Sequence, residues 1–110
     1  MPVMTDRRSV APNATEANVL AGKLAEFLSE PSRIALYASA SAVGLNVSLL
    51  IGGESLLDDQ EINAQNRFPL IPDDFVVEGG GLAGDRLIVR LRNTTAAAIT
   101  GFTRLEVNPV

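Results

Sequence analysis

Polar and apolar residues alternate along much of the chain. Residues 85–93, DRLIVRLRN, place Leu87, Val89 and Leu91 on one face and Arg86, Ile88, Arg90 and Arg92 on the other. That is the period of two expected of a half-buried strand. Residues 33–41, RIALYASAS, set Ile34, Leu36 and Ala38 against Arg33, Ala35 and Tyr37. Residues 45–53, LNVSLLIGG, set Leu45, Val47, Leu49 and Ile51 against Asn46, Ser48 and Leu50. The short turn Ala42-Val43-Gly44 between these two runs predicts a hairpin. FVVE, residues 75–78, reads as a short strand. Residues 98–110 end in a strand carrying Phe102, Leu105 and Val107, with Gly101 a point for a bulge.

Other stretches lack this regularity. Residues 54–74 are polar and irregular, with a brief strand at 55–57. Pro69 and Pro72 exclude a central strand there, and Phe68, Leu70 and Ile71 are expected to pin this long connection to the core. Residues 14–30 admit two readings. Leu20, Leu24 and Phe27 fit a helical stripe that Asn13 and Glu16 could cap, but Gly22 opposes it. The other reading is two short strands, Val19-Leu20 and residues 24–28, around a turn at 21–23. Residues 1–12 contain Pro2, Pro12 and the pair Arg7-Arg8 and have no period, so they read as an extended N-terminal arm. The expectation is an all-β chain with six to eight short strands, an antiparallel β-sandwich or jelly-roll-like fold over residues 13–110 as one domain, with one N-terminal helix left open.

Composition narrows the chemistry. The chain has 110 residues, 46% of them apolar but only 5% aromatic, so its core must rest on Val, Leu, Ile and Ala. A core so thin makes oligomerisation a reasonable source of further burial. Cysteine and histidine are both absent. Their absence removes disulfides, thiolate metal sites, the commonest general base and the Ser-His and Cys-His nucleophiles. The chain therefore reads as a protein that is not an enzyme and carries no cofactor. Its net charge of −4 argues against direct nucleic-acid binding. No apolar stretch reaches the length of a transmembrane helix, and the first residues have no signal-like apolar region. The expectation is a soluble protein made in the cytoplasm. Sequons at Asn13, Asn46 and Asn93 read as accidents of composition.

Three groups of residues invite chemistry. Gly79, Gly81 and Gly84 match G-x-G-x-x-G spacing, but a dinucleotide loop needs a helix after the glycines. Residues 85–93 have strand period instead, so the glycines read as a flexible connection. The acids Asp58, Asp59, Glu61, Asp73 and Asp74 fall on loops and could hold Ca²⁺, although no ordered ligand pattern accompanies them. They could equally pair with Arg7 or Arg67 of a neighbouring copy. Eight of the nine basic residues are arginines, which suit fixed, planar ion pairs better than lysine does. Arg86, Arg90 and Arg92 share one strand face, with Arg104 on a strand that could lie beside it. This face reads as a solvated surface, as a row of salt bridges between subunits or as a site for an anionic ligand. The candidate assembly residues are Arg7, Arg8, Arg67, Phe68, Arg86, Arg90 and Arg92.

In PSRIALYASASAVGLNVSLLIGG, IPDDF and GDRLIVRLRNTTAAAITGFTRLEVNPV, over residues 31–110, the chain resembles small all-β structural proteins of phage and other viral particles. That resemblance implies a capsid-associated decoration or cement protein found in the virion. It further implies a homotrimer at a symmetry axis, a major capsid protein as partner, and an arm over residues 1–12 that clamps a neighbour. It supplies no catalytic residue. A small jelly-roll shell protein is the alternative within this class, and a ligand- or carbohydrate-binding β-sandwich module is the alternative outside it.

Overall fold

The computed structural model describes residues 3–22, 26–65, 67–68 and 75–109. They form eight strands: β1 (Val3–Val10), β2 (Thr15–Glu16), β3 (Ser32–Ala40), β4 (Leu45–Ile51), β5 (Glu54–Glu61), β6 (Phe75–Gly81), β7 (Leu87–Asn93) and β8 (Ile99–Pro109). Among the described residues there is no helix, and so none long and apolar enough to cross a membrane. The strands make two four-stranded antiparallel sheets, ordered β1-β8-β3-β6 and β2-β7-β4-β5. We call these sheets A and B.

The pairing has a simple logic. β4 pairs with β5, β3 with β6, β2 with β7 and β1 with β8. The chain is thus one long antiparallel ribbon of four rungs, with the β4–β5 hairpin at its tip. Two further ladders, β3 with β8 and β4 with β7, roll the ribbon onto itself. Gly52 and Gly53 form the tip, with φ of 59° and 88°. Two successive left-handed residues are what a two-residue hairpin turn requires, and glycine adopts them without penalty.

Period two explains what each sheet buries. Ile34 and Leu36 on β3, with Leu105 on β8, meet Leu45 and Leu49 on β4 and Leu87 and Leu91 on β7, and all are 1% exposed or less. Full burial of each such side chain contributes roughly 1.5–3 kcal/mol. Gly101 lies on the inner face of β8, where a Cβ would stand 2.8 Å from Leu91 and 2.9 Å from Leu45. The two leucines fill the space that a larger residue would need.

Several expectations are revised. β3 and β4 do not form a hairpin. They lie in different sheets, and residues 41–44 carry the chain across the sandwich. Local alternation marks a strand but cannot name its partner. Val3–Val10, expected within an extended arm, is an edge strand paired with β8 over eight residues. Its inner positions are Met4, Asp6, Arg8 and Val10, and Arg8 bonds Asp6 at 2.8 Å, so a charged pair interrupts the apolar period. β5 spans eight residues rather than three. Residues 14–30 follow the free edge of β7 and form neither a helix nor a hairpin among those described. The Ala14 and Glu26 carbonyls accept from Asn93 and Leu87 N–H, and Val19 N–H donates to the Val89 carbonyl, while the Asn18 side chain supplies both an acceptor for Val89 N–H and a donor to the Leu87 carbonyl. The part of those readings at residues 23–25 lies outside the described residues, as do Leu70, Ile71, Asp73 and Asp74.

Candidate assembly surface

The candidate residues divide between the two outer sheet faces and one seam. On sheet A the outer row runs from Arg7 through Phe102 to Ser39, which are register partners across β1, β8 and β3. The Arg7 guanidinium lies over the Phe102 ring at 5.8 Å from its centroid. Phe68 meets the same ring edge-on at 5.2 Å, and the Ser39 hydroxyl donates to the Arg67 carbonyl. Ala40 N–H donates to the Asn63 carbonyl at 2.9 Å. The described part of the connection after β5 therefore lies against the outside of sheet A, which is why outward-facing Phe102 and Ser39 are buried. Phe68 does act as an anchor, as expected, but it also keeps a 45% exposed ring. The Arg67 side chain donates to Gln65 at 2.8 Å.

The next row carries Tyr37, packed edge-on against Phe75 at 5.8 Å. Val3, Phe68 and Phe75 are all exposed on or beside this face. Around them stand compensated charges, Arg104 with Glu106 at 3.0 Å and Arg33 with Glu78 at 2.9 Å. Arg104 belongs here and not beside Arg86, Arg90 and Arg92, because β8 and β7 are in different sheets.

The outer face of sheet B holds the arginine row. Arg92 makes a two-pronged contact with Asp59 on β5, one prong at 2.9 Å. Hydrogen bonding to Arg92 holds the Asp59 carboxyl below the usual carboxylate range, and the same bond raises the Arg92 guanidinium. Asp59 is also anchored by its own backbone, since its N–H donates to the Ser48 hydroxyl at 2.9 Å and its φ is 56°. Arg86 bonds Glu26 at 2.8 Å and lies over Phe27 at 5.9 Å. The Gly22 N–H, then Arg86, hold the Glu26 carboxyl low. Two arginines of the row are thus satisfied within one chain, and Arg90 has no ion-pair partner among the described residues. Arg8 lies in the seam between the sheets, bonded to Asp6 at 2.8 and 3.2 Å and to Glu16 at 3.5 Å. The Asp6 bond raises its pKa, and burial opposes that rise.

The glycine motif takes a structural role. Gly79 and Gly81 are inner positions of β6, not a flexible connection. A Cβ on Gly79 would collide with Leu56, and one on Gly81 would stand 2.5 Å from Leu28 and 2.9 Å from Ile51. Strand β7 follows them, and Asp85 closes the intervening turn by accepting from Leu82 N–H at 2.8 Å. An open cleft of about 530 Å³ borders this turn, lined in part by Arg33, Glu54, Gly80 and Asp85. Among the described residues no three acidic groups converge as a metal would require.

Asn93, which the sequence marks only as part of a sequon, joins three segments through its side chain. Asn93, 1% exposed, donates from Nδ2 to the carbonyls of Val10, Ala11 and Ala97 at 3.1, 3.3 and 2.7 Å. Its Oδ1 accepts from Thr95 N–H at 2.9 Å and from the Thr95 hydroxyl at 2.8 Å. The signal was available: after Leu87, Val89 and Leu91, position 93 falls on the inner face. Compared with protein-family models, with curated proteins and with solved structures, the chain finds no match.

Proposed function

We propose that the chain is a non-enzymatic structural subunit of a virion, a jelly roll that assembles with copies of itself and binds and stabilises a phage capsid shell. The observation that carries this reading is the connectivity of the two sheets. The orders β1-β8-β3-β6 and β2-β7-β4-β5 are those of a four-rung ribbon rolled into two facing sheets. Eight strands in two Greek keys is the jelly-roll pattern, found in viral capsid and lectin domains. Connectivity alone assigns no function. The surface adds support, since Val3, Phe68 and Phe75 offer apolar contact area on one sheet face, ringed by charges already paired within the chain. The partner in this reading is the major capsid protein, met in the virion after synthesis in the host cytoplasm.

The same connectivity favours a second reading, in which copies of the chain close the shell themselves. Native mass measurement and electron microscopy of the purified protein, alone and with phage capsid shells, separate the two. The proposal expects a discrete oligomer that attaches to preformed shells. Closed particles from the chain alone would establish the second reading. A monomer without affinity for shells sinks both, and if that monomer binds sugars, a carbohydrate-binding module takes their place.

A further inference from the structure

The two sheets leave four strand edges, and three of them are blunted. β2 is only two residues long, and the segment beyond it pairs irregularly with β7. β5 breaks register twice against β4 and carries Glu54, Asp58, Asp59 and Glu61. β6 breaks register once and ends in three glycines. Short strands, bulges and charge are the usual means by which sheets avoid pairing edge to edge. β1 differs: its eight residues hold unbroken register with β8, and it contains neither glycine nor proline. Thr5 and Asp6 apart, no backbone hydrogen bond between described residues outside the ladders involves residues 3–10.

β1 does carry one protective device, the inward-facing charges Asp6 and Arg8. These charges are already bonded within the chain, and a foreign apolar strand laid along this edge would strip water from them and add no charge in return. A second copy of the same strand adds an opposite charge beside each. Partners across an antiparallel pair share a face, so β1 can meet itself only about a residue. About Arg7, the inner face pairs Met4 with Val10 and Asp6 with Arg8, each twice, and the outer face pairs Thr5 with Ser9. Opposite charges directly across stabilise such pairs. Centring on Asp6 instead would oppose two aspartates and set Met4 against Arg8. The Arg7–Arg7 pair at the dyad is the one like-charged contact, and each guanidinium there already lies over its own Phe102.

We infer that β1 is a self-recognition edge, pairing antiparallel with β1 of a second copy about Arg7 to join two A sheets into one of eight strands. Such a contact is isologous, so it closes at two copies or builds even-numbered particles. It does not by itself give a trimer. The inference rests on the self-assembling part of the function proposed above, but requires no capsid.

The chain lacks cysteine, so single introduced thiols report the register. Residues directly opposite in an antiparallel pair have Cα atoms about 4.5–5.5 Å apart, within reach of a disulfide. Under mild oxidation of the full-length protein, Arg7→Cys is expected to form a covalent dimer. Thr5→Cys alone stays monomeric in a denaturing gel, whereas an equal mixture of Thr5→Cys and Ser9→Cys cross-links. As a check that avoids thiols, wild type mixed with Arg7→Glu should form mixed dimers above the statistical half, read by native mass spectrometry. Equal cross-linking of Thr5→Cys and Arg7→Cys, or a statistical mixture, overturns the register. A monomer at every concentration, with circular dichroism of the wild type unchanged, overturns the edge contact altogether. A β1 dimer that ignores shells removes only the virion reading, and a shell-binding oligomer without these cross-links removes only this pairing.

Discussion

Replacing Asn93 tests the packing logic more sharply than replacing any charged residue. Its side chain ties the end of β1 to the end of β7 and to the turn before β8, through three donated and two accepted contacts. The amide has two N–H groups, so at most four full hydrogen bonds are in play. Asn93→Ala leaves the buried Val10 carbonyl without this donor and Thr95 N–H without this acceptor. Net contributions run about 0.5–1.5 kcal/mol per bond, more where a buried group is left unpaired. Water can reach the more exposed Ala11 and Ala97 carbonyls, so a loss of about 3 kcal/mol is expected. That is a large share of the roughly 5–15 kcal/mol that holds a small domain. Asn93→Asp is the sharper variant. It keeps the shape but turns a donating nitrogen into an oxygen facing three carbonyls. Its carboxyl is driven to stay protonated, which raises its folded pKa above the unfolded value. Stability linked to a raised pKa is present below the unfolded value and lost as pH rises through the folded one. The deficit of Asn93→Asp against wild type should therefore grow from pH 4 to pH 7, while that of Asn93→Ala stays flat. Urea unfolding followed by circular dichroism measures both. A loss under about 1 kcal/mol for Asn93→Ala, or a flat profile for Asn93→Asp, would falsify the argument.

Two other outcomes follow from features of the sheets. Gly101→Ala should cost about 1–3 kcal/mol in chemical denaturation, because its Cβ meets Leu91 and Leu45 inside the core. Gly80→Ala meets only the Ser32 carbonyl, at 3.8 Å, and should leave the midpoint almost unmoved. Equal losses would mean that the two sheets can separate to admit a methyl group. The Asp59 carboxyl, lowered by Arg92, stabilises the fold above the ordinary aspartate pKa, and that stability fades as pH falls through its lowered value. In Arg92→Gln, carboxyl titration by NMR should move Asp59 back toward the ordinary range. An unmoved titration would assign the shift to the Asn46 side chain instead.

The sequence reading succeeded where burial is one-sided and regular. β7 and β4 are visible because each keeps a clean period of two, with Arg86, Arg90 and Arg92 outward and Leu87, Val89 and Leu91 inward. β1 was missed because Asp6 and Arg8 occupy inner positions and resemble a solvated arm. β5 was read too short because its bulges break the period that marks a strand. The β3–β4 hairpin was a mistake of a different kind: both strands were legible, but a four-residue link can turn within a sheet or cross between two. Which it does here depends on β8 and β7, which come more than forty residues later. Arg86, Arg90 and Arg92 do share one face, yet the Glu26 and Asp59 that pair with Arg86 and Arg92 lie on segments whose irregularity hid them.

The rolled ribbon also sets an order of assembly in time. Only β4 and β5 are neighbours in sequence, joined at Gly52-Gly53. Each further rung encloses the ones before it, and the last joins Val3 to Glu106, nearly the whole chain apart. Closing large loops is entropically costly and slows folding, so the hairpin is expected to form early and β1 to dock last. Folding kinetics can read this: substitutions at Ile51 should slow folding, whereas those at Val10 should mainly speed unfolding. If so, the strand with the open edge is also the last to take its place, and every newly made copy passes through a state in which β8 waits for a partner that another copy's β1 could supply.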